Sequence, residues 1–297
     1  MIYLKRKKAN FVLLLTFTIL GVVLSLTINA VSPQAASLDS AIVYDVAERS
    51  QFDIHTVTIP HGSNYFIVPK VSALQPIQDF VLDKDEVVAA INGGYFDPIN
   101  HKTTSFIIQD SQIVADPRFN ERLVDNRDLQ KYLRKIFNRA EFRYYDCDSK
   151  IQYDIQPHSA PIPSNCTLKA SLGGGPSLLP QDTSETEAFI AYQNGEKIRD
   201  AIGSQSLNAR SAIAITASGD VILAMAAQHS KQPLDSGISL AELTDFLSSV
   251  GAVKAMNLDG GSSSSLYYNG RVVYGKVDSE GREIKRPIKS ALLVKKI

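Results

Sequence analysis

Short apolar runs, rich in β-branched and aromatic residues and separated by turn formers, dominate the chain. Val43–Val46, Phe52–Ile59 and Tyr65–Pro69 read as strands by this pattern. Val87–Ile91 is a continuous apolar run ending at Asn92-Gly93-Gly94, the pattern of a buried strand feeding a tight turn. Ala212–Thr216 and Val221–Ala227 flank Ala217-Ser218-Gly219-Asp220 and predict a hairpin. Val253–Leu258 predicts a strand that runs into Asp259-Gly260-Gly261. Ser265–Tyr268 and Arg271–Tyr274 straddle Asn269-Gly270, the signal of a type I′ hairpin, and Ile288–Val294 predicts a last strand.

Helical spacing is rarer. Arg122–Asn138 places Leu123, Leu129, Tyr132, Leu133, Ile136 and Phe137 on one face. Ser239 and Glu242 have capping-box spacing ahead of Leu243, Phe246, Leu247 and Val250, and Gly251 supplies the stop. Asp182 and Glu185 repeat that spacing and predict the start of a short helix. Cys147 to Pro163 is polar and proline-bearing and reads as a surface loop. Many strands, several hairpins and few helices predict an α+β fold: a mixed, largely antiparallel sheet with a few packed helices.

One apolar run differs from the rest. Phe11–Ile28 is eighteen residues long and follows Lys5, Arg6, Lys7 and Lys8, with no acid before Asp39. A basic head before such a run predicts an export signal or an N-terminal membrane anchor. Residues 1–36 are therefore assigned to the leader and 37–297 to the functional domain. Localisation is expected to be periplasmic, extracellular or tethered on the outer side through residues 11–28. The full chain of 297 residues balances 31 basic against 31 acidic residues. Beyond the leader, 27 basic residues stand against 31 acidic ones, which disfavours nucleic acid as a partner. Cys147 and Cys166 are the only two cysteines, and an oxidising compartment predicts that they form a disulfide.

Three segments join an apolar strand to glycines flanked by polar residues. They are Asn92-Gly93-Gly94-Tyr95-Phe96-Asp97, Gly173-Gly174-Gly175-Pro176-Ser177 and Asn257-Leu258-Asp259-Gly260-Gly261-Ser262-Ser263. Glycine lets backbone approach a ligand closely, and successive N–H groups in such turns cradle anions. Three in one chain point to a shared site. None fits a nucleotide-binding loop or a nucleophile elbow. Asp259, at a strand mouth, is the candidate carboxylate, and Arg210, ahead of Ala212–Thr216, is the candidate anion clamp. The Asp259 loop offers oxygen ligands, but neither an EF-hand pattern nor Cys/His spacing accompanies them, so no cofactor and no metal is assigned.

These residues resemble the phosphodiester glycosidase family. Asn92-Gly93-Gly94-Tyr95-Phe96, Gly173-Gly174-Gly175-Pro176, Ala209-Arg210-Ser211-Ala212-Ile213 and Asn257-Leu258-Asp259-Gly260-Gly261-Ser262-Ser263 occur in its order, from about Val87 to the C-terminus. The segment from Asn120 to Cys166 is similar to its bacterial branch. The resemblance implies hydrolysis of a sugar-1-phosphodiester at the bond between the anomeric carbon and phosphate. On that reading Arg210 binds the phosphate, and Asn92 and Asn257 hydrogen-bond sugar or phosphate oxygens. Asp259 activates water or stabilises the oxocarbenium-like transition state. Asp97 is the candidate for a second acid. Gly93, Gly94, Gly174, Gly175, Gly260, Gly261, Ser262 and Ser263 line the substrate. The competing reading is a non-catalytic envelope protein that binds a glycan or anionic polymer in the same cleft.

Overall fold

The computed structural model of the protein describes residues 41–82 and 86–297. In chain order the strands are β1 (Val43–Glu48), β2 (Phe52–Ile59), β3 (Tyr65–Gln75), β4 (Val87–Asn92), β5 (Ile107–Gln109) and β6 (Gln112–Ala115). Next come β7 (Ala140–Cys147), β8 (Lys150–Pro157), β9 (Cys166–Gly173), β10 (Ser177–Leu179), β11 (Ile190–Gln193) and β12 (Glu196–Asp200). The remainder are β13 (Arg210–Thr216), β14 (Val221–Gln228), β15 (Ala252–Asn257), β16 (Ser265–Tyr268), β17 (Arg271–Tyr274) and β18 (Ile288–Lys296). Among the described residues three α-helices accompany them: α1 (Glu121–Val124), α2 (Leu133–Ile136) and α3 (Leu240–Ser249).

The strands form three larger sheets and a hairpin. One sheet has the order β1-β2-β14-β13-β15-β10, a second β17-β16-β4-β18-β3 and a third β6-β5-β9-β7-β8, while β11 and β12 pair alone. Within the described residues every pairing of these strands is antiparallel. The sheets are therefore not mixed, and the balance lies further towards β than expected.

Alternation explains how the layers close. In β14 all eight residues are buried, because the strand is covered on both faces. Val221, Leu223 and Met225 point into a core shared with Ile67, Ile91, Ile107, Phe142, Leu172 and Leu292 from the other two sheets. Ile222, Ala224 and Ala226 point the other way, against Leu240, Leu243 and Leu247 of α3. A two-residue period with both faces apolar reads as a continuous hydrophobic run. The capping box of α3 forms in both directions: Glu242 N–H donates to Ser239 Oγ at 3.2 Å and Ser239 N–H to Glu242 Oε2 at 2.9 Å. Gly251 follows with φ +87°.

Three sequence expectations fail locally. The Arg122–Asn138 segment is α1, a 3₁₀ turn at Gln130–Tyr132 and α2, rather than one helix. Asn126 interrupts it by accepting the Asp128 N–H on its side chain at 3.0 Å, a local alternative to the helical bond. The apolar face holds nonetheless: Leu123, Leu129, Tyr132, Leu133, Ile136 and Phe137 pack together with Ala188. The Cys147–Pro163 loop contains β8, which pairs with β7 through a turn at Asp148 and Ser149, both at positive φ. As an edge strand β8 needs no continuous apolar face, so its composition hides it. Asp182 starts no helix; its Oδ1 accepts the Ser184 N–H at 2.8 Å and the Ser184 hydroxyl at 2.6 Å in a turn.

Cys147 and Cys166 form the expected disulfide. They stand opposite each other on β7 and β9. Among the described residues no helix is long and apolar enough to cross a membrane, and the 11–28 run and the 1–36 leader lie outside those residues.

Candidate active site

The antiparallel register sets the site. Ala212 of β13 stands opposite Asn257 of β15, so Arg210 at the start of β13 lies beside the end of β15, where Asp259 follows. The turns after β4 and β9 arrive at the same place. Gly93 O accepts the Asp259 N–H at 3.1 Å, and Asn257 O accepts the Gly175 N–H at 2.9 Å. All three glycine turns therefore converge. Their glycines serve chiefly the approach of backbone to backbone. A Cβ on Gly174 would lie 2.9 Å from Asn257 O, and one on Gly94 would overlap the carbonyl oxygen of Gly173.

Tyr95 ties the turns together. Its hydroxyl donates to Gly175 O at 2.9 Å and accepts from Asn257 Nδ2 at 2.6 Å. Asn257 Nδ2 also donates to Leu258 O at 2.7 Å. The Asn257 Oδ1 is buried and meets no protein donor, an unsatisfied acceptor in a residue otherwise fixed. Asp259 keeps partial exposure, while its carboxyl sits deep enough that burial raises its pKa to about 6. The Ser263 hydroxyl, the Arg286 guanidinium and the Gly260 N–H pull in the opposite direction. Ser263 Oγ faces the carboxyl without closing a hydrogen bond. Arg286 is held by Ser262, to whose Oγ its Nη1 donates at 3.1 Å, and by the Phe96 ring at 5.0 Å.

The structure redraws three of the expected roles. Asn92 is fully buried and all its polar groups are taken. Its Oδ1 accepts from Ser211 Oγ at 2.6 Å and from Ser265 N–H at 3.1 Å, and its Nδ2 donates to Asp259 O at 2.6 Å. It positions the Asp259 backbone and presents nothing to a substrate. Arg210 is also buried. It donates through Nε to Ile238 O at 2.8 Å, through Nη2 to Gly203 O at 2.6 Å and Ser206 O at 3.0 Å, and through Nη1 to Ile202 O at 3.4 Å. Three of these bonds fasten the 202–206 loop and the fourth holds Ile238, so Arg210 cannot be the main phosphate clamp. Asp97 caps its own turn by accepting the Ile99 N–H at 2.7 Å and pairs with Arg122 at 3.0 Å. These partners hold its carboxyl below the usual range, the wrong direction for a proton donor.

Residues 85–295 match the phosphodiester glycosidase family. The chain belongs to that family. No curated protein matches the sequence. Among solved structures, it resembles the catalytic domain of zebrafish N-acetylglucosamine-1-phosphodiester alpha-N-acetylglucosaminidase, auto-inhibited by its pro-peptide. That likeness has a TM-score of 0.59 and 16% identity, and covers 86% of this chain and 83% of the other. A hypothetical protein from Synechocystis gives a TM-score of 0.53 at 17% identity; 86% of this chain covers only 62% of that one. A candidate exported protein from Burkholderia pseudomallei gives 0.53 at 12% identity, with 82% and 74% covered. At these identities the likeness is one of fold.

In this member of the family three residues around the glycine turns escape sequence reasoning: Arg286 beside Asp259, and Glu187 and Arg139 at the Gly175 turn and Phe189. Glu187 is buried at the Gly175 turn, accepting from Thr183 Oγ1, from Ser177 N–H at 3.0 Å and from Ala140 N–H at 3.1 Å. Burial raises its pKa. No glycine or motif marks any of the three; only the folded turns bring them in. Among the described residues no group of three His, Cys, Asp or Glu side chains is placed to hold a metal ion.

The glycine packing gives a direct prediction. Gly94→Ala must separate the β4 and β9 turns, because the obstacle is backbone and cannot rotate away. A loss of about 1–3 kcal/mol in urea unfolding is expected from such overpacking. An unchanged midpoint would show that the two turns are not in contact.

Proposed function

We propose that the protein is an exported hydrolase that cleaves a sugar-1-phosphodiester between the anomeric carbon and the phosphate oxygen. The observation that carries this reading is the Asp259 carboxyl, raised to about 6 by burial at the meeting point of all three glycine turns. A carboxylate poised there is ionised at neutral pH and able to stabilise positive charge at the anomeric carbon or to activate water. The anomeric C–O bond breaks with its electrons leaving on the phosphate, water supplies the hydroxyl to carbon, and a proton is released. A phosphomonoester is already a stable leaving anion, so the chemistry tolerates a site without a second poised acid. The leader pattern and the Cys147–Cys166 disulfide support export.

The purified chain is to be incubated with a panel of sugar-1-phosphodiesters, UDP-N-acetylglucosamine included, with and without EDTA, and free sugar measured. Sugar release from wild type is the expected result, and the EDTA arm decides any divalent-cation requirement. Glycan binding without release from any substrate would replace the hydrolase with a binding protein.

A further inference from the structure

The turn between β10 and β11 carries an unusual backbone. Ala188 has φ +57°, a left-handed conformation that costs a non-glycine residue on the order of 1–2 kcal/mol. The carbonyls of Glu187 and Ala188 each receive an arginine. Arg139 Nε donates to Glu187 O at 3.1 Å, and Arg199 Nε donates to Ala188 O at 2.8 Å. Each guanidinium also meets a ring: Arg139 lies 3.7 Å over Phe189, and Arg199 lies 5.2 Å from the centre of Tyr132. Two guanidiniums are thus docked, by one nitrogen each, on consecutive carbonyls, close enough for the charge of Arg199 to act on Arg139.

Their remaining nitrogens are free. Within the described residues, Nη1 and Nη2 of both arginines make no hydrogen bond and join no ion pair. Arg139 is buried at 8% exposure, yet its terminal nitrogens are not among the sealed, unpartnered atoms, so they keep access to solvent. Burial and the neighbouring Arg199 charge lower its pKa to about 10, against the pull of Tyr95 and Glu187, and it stays charged at neutral pH. A buried guanidinium beside a second one, with no carboxylate in contact, is costly unless an anion completes it.

Arg139 of the pair also lies next to the candidate site. Phe189, under Arg139, packs against Tyr95 with ring centres 5.4 Å apart. Tyr95 is bonded to Asn257, and its hydroxyl is raised by burial and by the Asp259 charge. Beyond Arg199 opens a polar cleft of about 690 Å³ that includes Arg127, Lys131 and Tyr132 together with the carboxylates of Asp128 and Asp200.

We propose that Arg139 and Arg199 form the clamp that grips the phosphoryl group of the substrate, with the leaving group directed into the cleft beside Tyr132. The clamp rests on the hydrolase reading above and takes the role that Arg210, fastened to carbonyls, cannot fill. Free Nη pairs offer parallel bonds to phosphate oxygens, and the two rings fix the guanidinium planes.

The test titrates the full-length chain with inorganic phosphate by calorimetry, alongside hydrolysis assays. Arg199→Gln and Arg139→Gln are each expected to weaken phosphate binding by at least about tenfold, the scale of a lost charge-assisted bond pair. Arg139→Lys should restore little, because a point charge cannot replace the fork. Arg282→Gln, on an exposed pair with Asp278, should bind as wild type. Arg199 is partly exposed, so its variant decides the matter if Arg139→Gln does not fold. Phosphate affinity unchanged in Arg199→Gln, or no phosphate binding by wild type at millimolar concentration, would overturn the clamp. Hydrolysis with normal KM in these variants removes the clamp and keeps the hydrolase. Phosphate binding that both variants lose, in a protein that hydrolyses no sugar phosphodiester, keeps the anion clamp and removes the hydrolase.

Discussion

Asp259→Asn is expected to cut sugar release by about 10²–10⁴-fold, the usual worth of a carboxylate in acid–base or charge-stabilising roles. The same change is expected to stabilise the fold at neutral pH. The two effects share one cause. Burial raises the Asp259 carboxyl to about 6 in the folded protein, above its ordinary value, so the folded state binds the proton more tightly than the unfolded state. Stability attached to this group is fully present below about pH 4 and is lost as pH rises through 6. At pH 7.5 the ionised form costs up to about 3 kcal/mol at the standard conversion, and less because the residue keeps partial exposure. An asparagine has no such cost. The melting temperatures of wild type and variant should coincide near pH 4 and separate by several degrees above pH 7, with the variant higher. In wild type, kcat/KM should rise with an acid limb near pH 6 as the free-enzyme carboxylate forms. Equal melting curves at all pH values together with a flat acid limb would remove Asp259 from the centre of the site.

Arg143→Ala is expected to be the most damaging single change to the fold. Arg143 and Glu141 face each other at 2.7 Å with 2% and 1% side-chain exposure. Arg143 fills its remaining donors with Tyr145 Oη at 3.0 Å, Ala160 O at 2.9 Å, Pro157 O at 3.0 Å and His158 O at 2.7 Å. Removing the guanidinium leaves the buried Glu141 with only His158 Nδ1 at 3.1 Å and Ser171 Oγ at 3.3 Å, and three carbonyls without a donor, which costs about 3–5 kcal/mol. Urea unfolding should show the midpoint fall with little change in slope. Arg122→Ala breaks a half-exposed pair with Asp97 and should cost less than about 1 kcal/mol. Similar losses in both variants would mean that burial does not govern these pairs.

What was legible in the sequence follows from how local each signal is. Asn269-Gly270 fixes its hairpin with two residues, and β16 and β17 stand where the pattern put them. Ser239 and Glu242 cap α3 within one turn. The glycine turns marked the site because close backbone approach leaves a residue-level trace. The work of each polar residue left none. Arg210 reads as an anion clamp until the 202–206 carbonyls fold over it, and those carbonyls carry no sequence information. Asn92 reads as a substrate contact until Ser211 and Ser265 arrive from distant strands. Arg139 and Arg199 are ordinary surface candidates until Ala188 turns two carbonyls towards them.

The place of β18 between β4 and β3 has a consequence for biogenesis. The Gly93 N–H, at the head of the first glycine turn, donates to Ser290 O of β18 at 2.7 Å. Strands β3 and β4 are made early yet do not pair with each other; they wait for a segment near the end of the chain to insert. Pairing across such sequence distance is slow to nucleate. On the proposed export reading, a chain emerging N-terminus first presents the first glycine turn before β18 is there to support it, and the candidate site is complete only once β18 lies between β4 and β3.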